Sequence, residues 1–151
     1  MTKITFITSK KLFQNSIFFL TPLMVWKDFL NNENIFFDIK FYENLKLDYS
    51  DFIFIDSKVH RDILDNDFEK VSNDFDFFKK KTKYIFYCDT GDSSCWIEKK
   101  IFPLVDKYLK RQLLKDRNLY KTKMYGKKIN SDFYHRNINI NDHKEIWSDE
   151  L

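Results

Sequence analysis

Tyr84-Ile-Phe-Tyr-Cys-Asp-Thr-Gly-Asp-Ser-Ser-Cys-Trp-Ile-Glu98 decides the fold. The apolar, β-rich run from Tyr84 to Cys88 stops abruptly in a small, acidic, hydroxyl-bearing loop. A short apolar run of this kind predicts a strand covered on both faces, as strands of parallel sheets are. Gly91 is one of only two glycines in the chain, and a glycine that rare is expected where backbone turns or approaches something closely. Asp89, Thr90, Asp92, Ser93 and Ser94 crowd around it. Loops at the carboxyl ends of strands are where ligands bind in open α/β sheets, which makes this loop the first candidate site. The plainer alternative is that Asp92 or Ser93 caps a following helix, since Asp and Ser are ordinary N-cap residues.

Outward from this strand the pattern alternates. Lys3 to Thr8 is β-branched and alternating and predicts the first strand, with Ser9 to Ser16 as a loop at its carboxyl end. Thr21-Pro22 predicts a helix start, Thr as the cap and Pro in the first helical position, and Leu23, Trp26 and Leu30 follow at helical spacing. Asn31 to Asn34 ends that helix. Ile35 to Phe41 and Asp51 to Asp56 are the next strands, joined by a link with room for one helical turn. Val59 to Lys81 is helical in pattern with a break at Asn66-Asp67, and Phe68, Val71, Phe75 and Phe78 share one face. Downstream, Phe102-Pro103 breaks a short helix through Trp96 and Ile97, Leu104 to Leu109 predicts a further strand, and Lys110 to Tyr120 reads as basic loop or helix. This succession predicts an α/β, Rossmann-like open parallel sheet with helices on both faces over residues 1–125. Residues 126–151 read as a connecting segment.

With 151 residues, 43% hydrophobic and 19% aromatic, there is enough for one core, and disordered or collagen-like classes are excluded. Cys88 and Cys95 form no CxxC pair and are expected as free thiols in a reducing, cytoplasmic compartment. Lys10-Lys11 ahead of Ile17 to Trp26 mimics a secretory leader, but a strand-like run precedes it and the apolar stretch is too short to span a bilayer. The formal net charge of +3 hides a segregation: 13 acidic against 5 basic residues from Asp28 to Asp76, and 11 basic against 2 acidic from Lys99 to Lys128. The basic block is where a phosphate-rich partner or an anionic membrane surface is expected. Nucleic acid is not expected, because Phe102, Tyr108, Tyr120 and Tyr125 are the block's only aromatics and no RNA or DNA motif surrounds them.

A nucleotide site would place glycines in the loop after the first strand, so that backbone could reach phosphate. That loop, Ser-Lys-Lys-Leu-Phe-Gln-Asn-Ser from Ser9 to Ser16, has none. A receiver-type phosphoacceptor needs acidic residues after the first strand and an aspartate after the third; Asp56 meets only the second requirement. Asp74 and Asp76, two apart on a helix, point about 200° from each other and cannot share an ion. Asp89 and Asp92 without histidine support make a poor metal pair, and His60, His135 and His143 are scattered singly, each expected at the surface. No metal site is predicted. What remains is general-base work by Asp89, Asp92 or His135 on a hydroxyl nucleophile, with cations between Lys107 and Arg117 holding an anionic group.

Three runs carry a family likeness: Asp-Thr-Gly-Asp-Ser-Ser (89–94), Val-Asp-Lys-Tyr-Leu-Lys-Arg-Gln-Leu-Leu-Lys-Asp-Arg (105–117) and Asp-Phe-Tyr-His-Arg (132–136). Together they resemble the amino-terminal half of bacterial surface-polysaccharide glycosyltransferases of the two-Rossmann-domain, GT-B type, over roughly residues 3–140. The resemblance implies the acceptor side of a cleft, with Asp89 or Asp92 as base and Gly91, Ser93, Ser94, Arg111, Arg117 and His135 as substrate contacts. It implies a saccharide or lipid-linked acceptor and no metal or cofactor on this domain, the nucleotide-sugar donor being held by a second, carboxyl-terminal Rossmann domain. These residues hold no such domain, so the expectation is a fragment or half of a two-chain enzyme, inactive alone, cytoplasmic and peripheral to the membrane's inner face. For Arg111 and Arg117 the plainer reading is solvated surface charge. The second expectation is a non-catalytic α/β module that docks a phosphate-rich partner or anionic surface through Lys99 to Lys128.

Overall fold

Among the described residues, five strands form one sheet: β1 (Thr2–Thr8), β2 (Ile35–Phe41), β3 (Ser50–Asp56), β4 (Thr82–Asp89) and β5 (Lys107–Lys110). All neighbours pair in parallel, in the order β2-β1-β3-β4-β5. The structure, a computed structural model, describes residues 1–91, 97–126, 129–138 and 140. The chain divides into two compact units, Met1–Thr90 with Lys99–Lys110, and Gly91–Glu98 with Arg111–Leu151. The sheet belongs wholly to the first.

Register explains why the inner strands are apolar throughout. Ile4 and Phe6 of β1 align with Phe37 and Ile39 of β2 and with Phe52 and Phe54 of β3, so these residues share a face. That face meets Leu20 of α1 (Phe13–Val25), which is buried with Phe6, Phe37 and Cys88. The opposite face carries Ile7, Ile53, Ile55, Ile85 and Tyr87 and packs on Val71, Phe75 and Phe78 of α3 (Phe68–Lys79). Helices therefore cover both faces, as expected for a parallel sheet. Asp67 accounts for the break before α3: its carboxylate accepts from the Lys70 backbone N–H at 3.1 Å, capping the helix there. The chain between β3 and α3 is a 3₁₀ turn (Ser57–Val59) followed by further turns, and not the first half of a longer helix.

Two other local expectations are corrected. The first helix begins at Phe13, and Thr21-Pro22 lies inside it. Thr21 Oγ1 donates back to the Ile17 carbonyl at 2.7 Å and caps nothing. Burial of Leu20 holds the helix through a proline that lacks an N–H, and the interruption comes only at Trp26, after which α2 (Lys27–Asn32) continues.

In the second unit, residues 129–138 form α4 (Ile129–Ile138), where the sequence pattern predicts only a connecting segment. Polar contacts hold it. Asp132 accepts from the Tyr125 backbone N–H at 2.9 Å and pairs with Arg136 Nε at 2.8 Å, and Arg136 also reaches the Lys123 carbonyl at 3.2 Å. The Tyr125 ring stacks on His135 with centroids 3.9 Å apart. Gly126 makes the entry possible: its φ is +63°, and a Cβ there would lie 2.7 Å from Ser131 Cβ.

Candidate functional site

In a sheet of this order the chain changes winding direction between β1 and β3, and ligand crevices open outside the carboxyl ends of the strands at that point. Asp56 ends β3 there and is wholly buried. Thr8 Oγ1, from the end of β1, donates to Asp56 Oδ2 at 2.7 Å, and Ser16 Oγ of α1 donates to the same oxygen. Thr90 Oγ1, just past β4, donates to Oδ1 at 2.7 Å, beside the Lys58 backbone N–H at 3.1 Å. Ser57 Oγ in turn accepts the Thr90 N–H at 3.2 Å. The switch point is thus closed by one carboxylate that ties two strands and a helix to a third strand. No phosphoryl donor can reach Asp56, which adds a second objection to the receiver-type reading.

The turn after β1 is also filled. Glu43, on the 3₁₀ turn Tyr42–Asn44 that follows β2, accepts from Ser9 Oγ at 2.6 Å and from the Lys10 backbone N–H at 3.0 and 3.1 Å. Burial works to raise this carboxyl, but those bonds and a further one from the Lys11 N–H outweigh it and hold Glu43 below the ordinary carboxylate range. Nothing in the sequence pairs Glu43 with Ser9, since their contact spans 34 residues.

Asp89, a predicted base, ends β4 as half of a buried ion pair. Its Oδ2 accepts from Lys110 Nζ at 2.7 Å and from Tyr108 Oη at 2.8 Å, and the two charged side chains are 8% and 3% exposed. An aspartate with two donors on one oxygen is built to position β5. Asp92, Ser93 and Ser94 lie outside the described residues. Gly91 opens the second unit. Arg111 and Arg117 are exposed, Arg117 at the start of a 3₁₀ turn (Arg117–Lys121), while His135 is half-buried against Tyr125. The basic block is partly neutralised within the first unit, with Lys110 on Asp89 and Lys100 on Asp65 at 2.9 Å.

His60 departs from expectation: it is wholly buried, not at the surface. Its Nε2 lies 3.2 Å from Asp74 Oδ2, which also accepts from Tyr42 Oη at 2.5 Å. Since a carboxylate only accepts, Nε2 carries the proton of that bond, and Nδ1 has no hydrogen-bond partner among the described residues. Burial works to raise Asp74, but the bonds from His60 and Tyr42 outweigh it and hold the carboxyl low. Cys88 is a free thiol whose pKa is pushed up by burial and by the nearby Asp56 charge. Among the described residues, no three His, Cys, Asp or Glu side chains are grouped to hold a metal ion. Compared with protein-family models, curated proteins and solved structures, the chain finds no match in any of the three.

Proposed function

We propose that this chain is the acceptor-side, Rossmann-like half of a GT-B type glycosyltransferase, which transfers a sugar from a nucleotide-sugar donor to a saccharide or lipid-linked acceptor. Glu43 is the observation that carries the reading. In a nucleotide-binding domain of this fold, the backbone N–H groups opening the first helix meet pyrophosphate. Here the Lys10 N–H, in the 3₁₀ turn (Lys10–Leu12) that leads from β1 into the first helix, holds a carboxylate together with the Ser9 hydroxyl. A domain whose own phosphate position is filled suits the other role, binding the acceptor while a second Rossmann domain binds the donor. The runs at 89–94, 105–117 and 132–136 support the same assignment.

In this reading a carboxylate from the loop after β4 takes the proton of the acceptor hydroxyl. The freed oxygen attacks the anomeric carbon, and the nucleotide diphosphate leaves with the electron pair of the broken bond. Asp89 is engaged with Lys110 and Tyr108, which favours a positioning role for it and gives the base role to Asp92. The test is to sequence the source locus beyond the Leu151 codon, express the longest product and screen nucleotide-sugars for consumption with lipid-linked saccharide acceptors. Consumption is expected, with Asp92→Asn lowering kcat by about a hundredfold or more at unchanged Tm. Equal turnover with a lowered Tm makes Asp92 a helix cap, and no consumption of any donor transfers the case to the binding-module reading.

A further inference from the structure

We propose that the outer face of α1 and α2 is a docking surface for an anionic lipid bilayer, on which the two helices lie in the plane of the interface. This surface is distinct from the basic block at Lys99 to Lys128, and the inference does not depend on the glycosyltransferase reading.

α1 is apolar on two sides, its polar residues being Gln14, Asn15, Ser16 and Thr21. Its inner side buries Leu20 against the sheet, yet its outer side exposes Ile17, Phe18, Met24 and Val25, with Phe18 71% and Val25 72% exposed. A helix of that kind has its second face covered by something apolar. The stripe runs on past the break, because Trp26 N–H bonds to the Pro22 carbonyl at 3.0 Å and Leu30 N–H to the Trp26 carbonyl at 2.9 Å. Phe18, Val25 and Phe29 fall seven and four apart along it. Trp26 and Phe29, 60% and 54% exposed, meet edge to face at the joint. Contiguous apolar exposure of this extent marks an interaction surface.

Charge selects the occupant. From Phe13 to Trp26 there is no charged residue, Lys10 and Lys11 flank the stripe on one side and Lys27 on the other, and all three lysines are exposed. Asp28 follows Lys27 on α2 and Glu33 ends that helix, both exposed, so the surface carries three lysines against two carboxylates, and the α1 end is purely cationic. An apolar stripe with aromatic residues at one end and cations at both matches the acyl boundary and anionic headgroups of a membrane surface. No helix among the described residues is long and apolar enough to cross a membrane, so the fit is to the interface plane.

The chain is mixed with vesicles of phosphatidylcholine alone, or with phosphatidylglycerol added, and binding is read by co-sedimentation. Binding to the anionic vesicles is expected, with Lys10→Glu and Lys27→Glu each weakening it about fivefold or more. Phe18→Ser with Val25→Ser should weaken it about tenfold or more. Both side chains are exposed, so far-UV circular dichroism should be unchanged. In a chain with Trp96 and Trp147 replaced by Phe, Trp26 emission should shift to the blue on the vesicles, an independent reading should the serine variant lose its fold. Absence of binding, binding that the serine variant retains, or a concentration-dependent dimer that the same variant dissociates in place of vesicle binding would each overturn the proposal.

Discussion

Asp56 shows how much one side chain can hold. Removing its carboxylate leaves three hydroxyls and a backbone N–H without their acceptor in a site closed to solvent. Each unsatisfied group costs about 1–3 kcal/mol. Asp56→Ala should therefore lower the urea midpoint by more than about 1 M at unchanged slope, and a shift within error would show the hub to be dispensable. Asp74 and Glu43 act on pH dependence. Both are held low in the folded chain, so their contribution is full above their unfolded values and is lost as pH falls through the folded ones. Stability should be level above about pH 5 and decline below about pH 4, measured as urea midpoints from about pH 2 to about pH 7. Asp74→Asn should flatten part of that decline, whereas the more exposed Glu43, screened by water, accounts for less than about 1 kcal/mol of it.

At the scale of elements, the first four strands were legible because a short apolar run bounded by polar residues, repeated between helical patterns, fits little besides a buried strand; Ile35–Phe41 is bounded as its sequence suggests, whereas β5 starts at Lys107 and not at Leu104, which ends a 3₁₀ turn (Lys99–Leu104). The start of α1 was not. Thr-Pro is a strong local helix signal, but the helix is supported by burial of Leu20, a tertiary contact that no local pattern reveals. The helix at Ile129–Ile138 was missed for a different reason: polar contacts of Asp132 and Arg136 hold it, so no apolar repeat marks it. Of the candidate site, Asp56 was legible as the residue that ends the third strand, and the hydroxyls that close on it come from distant parts of the chain. Lys110 was legible only as one cation in a basic run, with no sign that Asp89 would claim it. Gly126 belongs to this scale, since it shapes the entry to α4. Gly126→Ala places an L side chain at positive φ and against Ser131, and should cost about 1–2 kcal/mol or more. The loss should appear as reduced hydrogen-exchange protection across residues 129–138; unchanged protection there would show that the turn relaxes freely.

Across the whole molecule, the position of a strand in the sheet sets how hard it is to open. Among the described residues, β1, β3 and β4 have a neighbour on both sides, β2 and β5 on one, and β5 is only four residues long. Amides of Phe52 to Ile55 should exchange slowest among the strands and those of Lys107 to Lys110 fastest; equal rates in β3 and β5 would mean that the sheet opens only as one cooperative piece. Glu43 has a wider meaning at this scale. Held behind β2, it confronts the first turn as a tethered competitor, whose short leash gives it an effective concentration of roughly millimolar order. Any free anion approaching that turn must displace a ligand that never diffuses away.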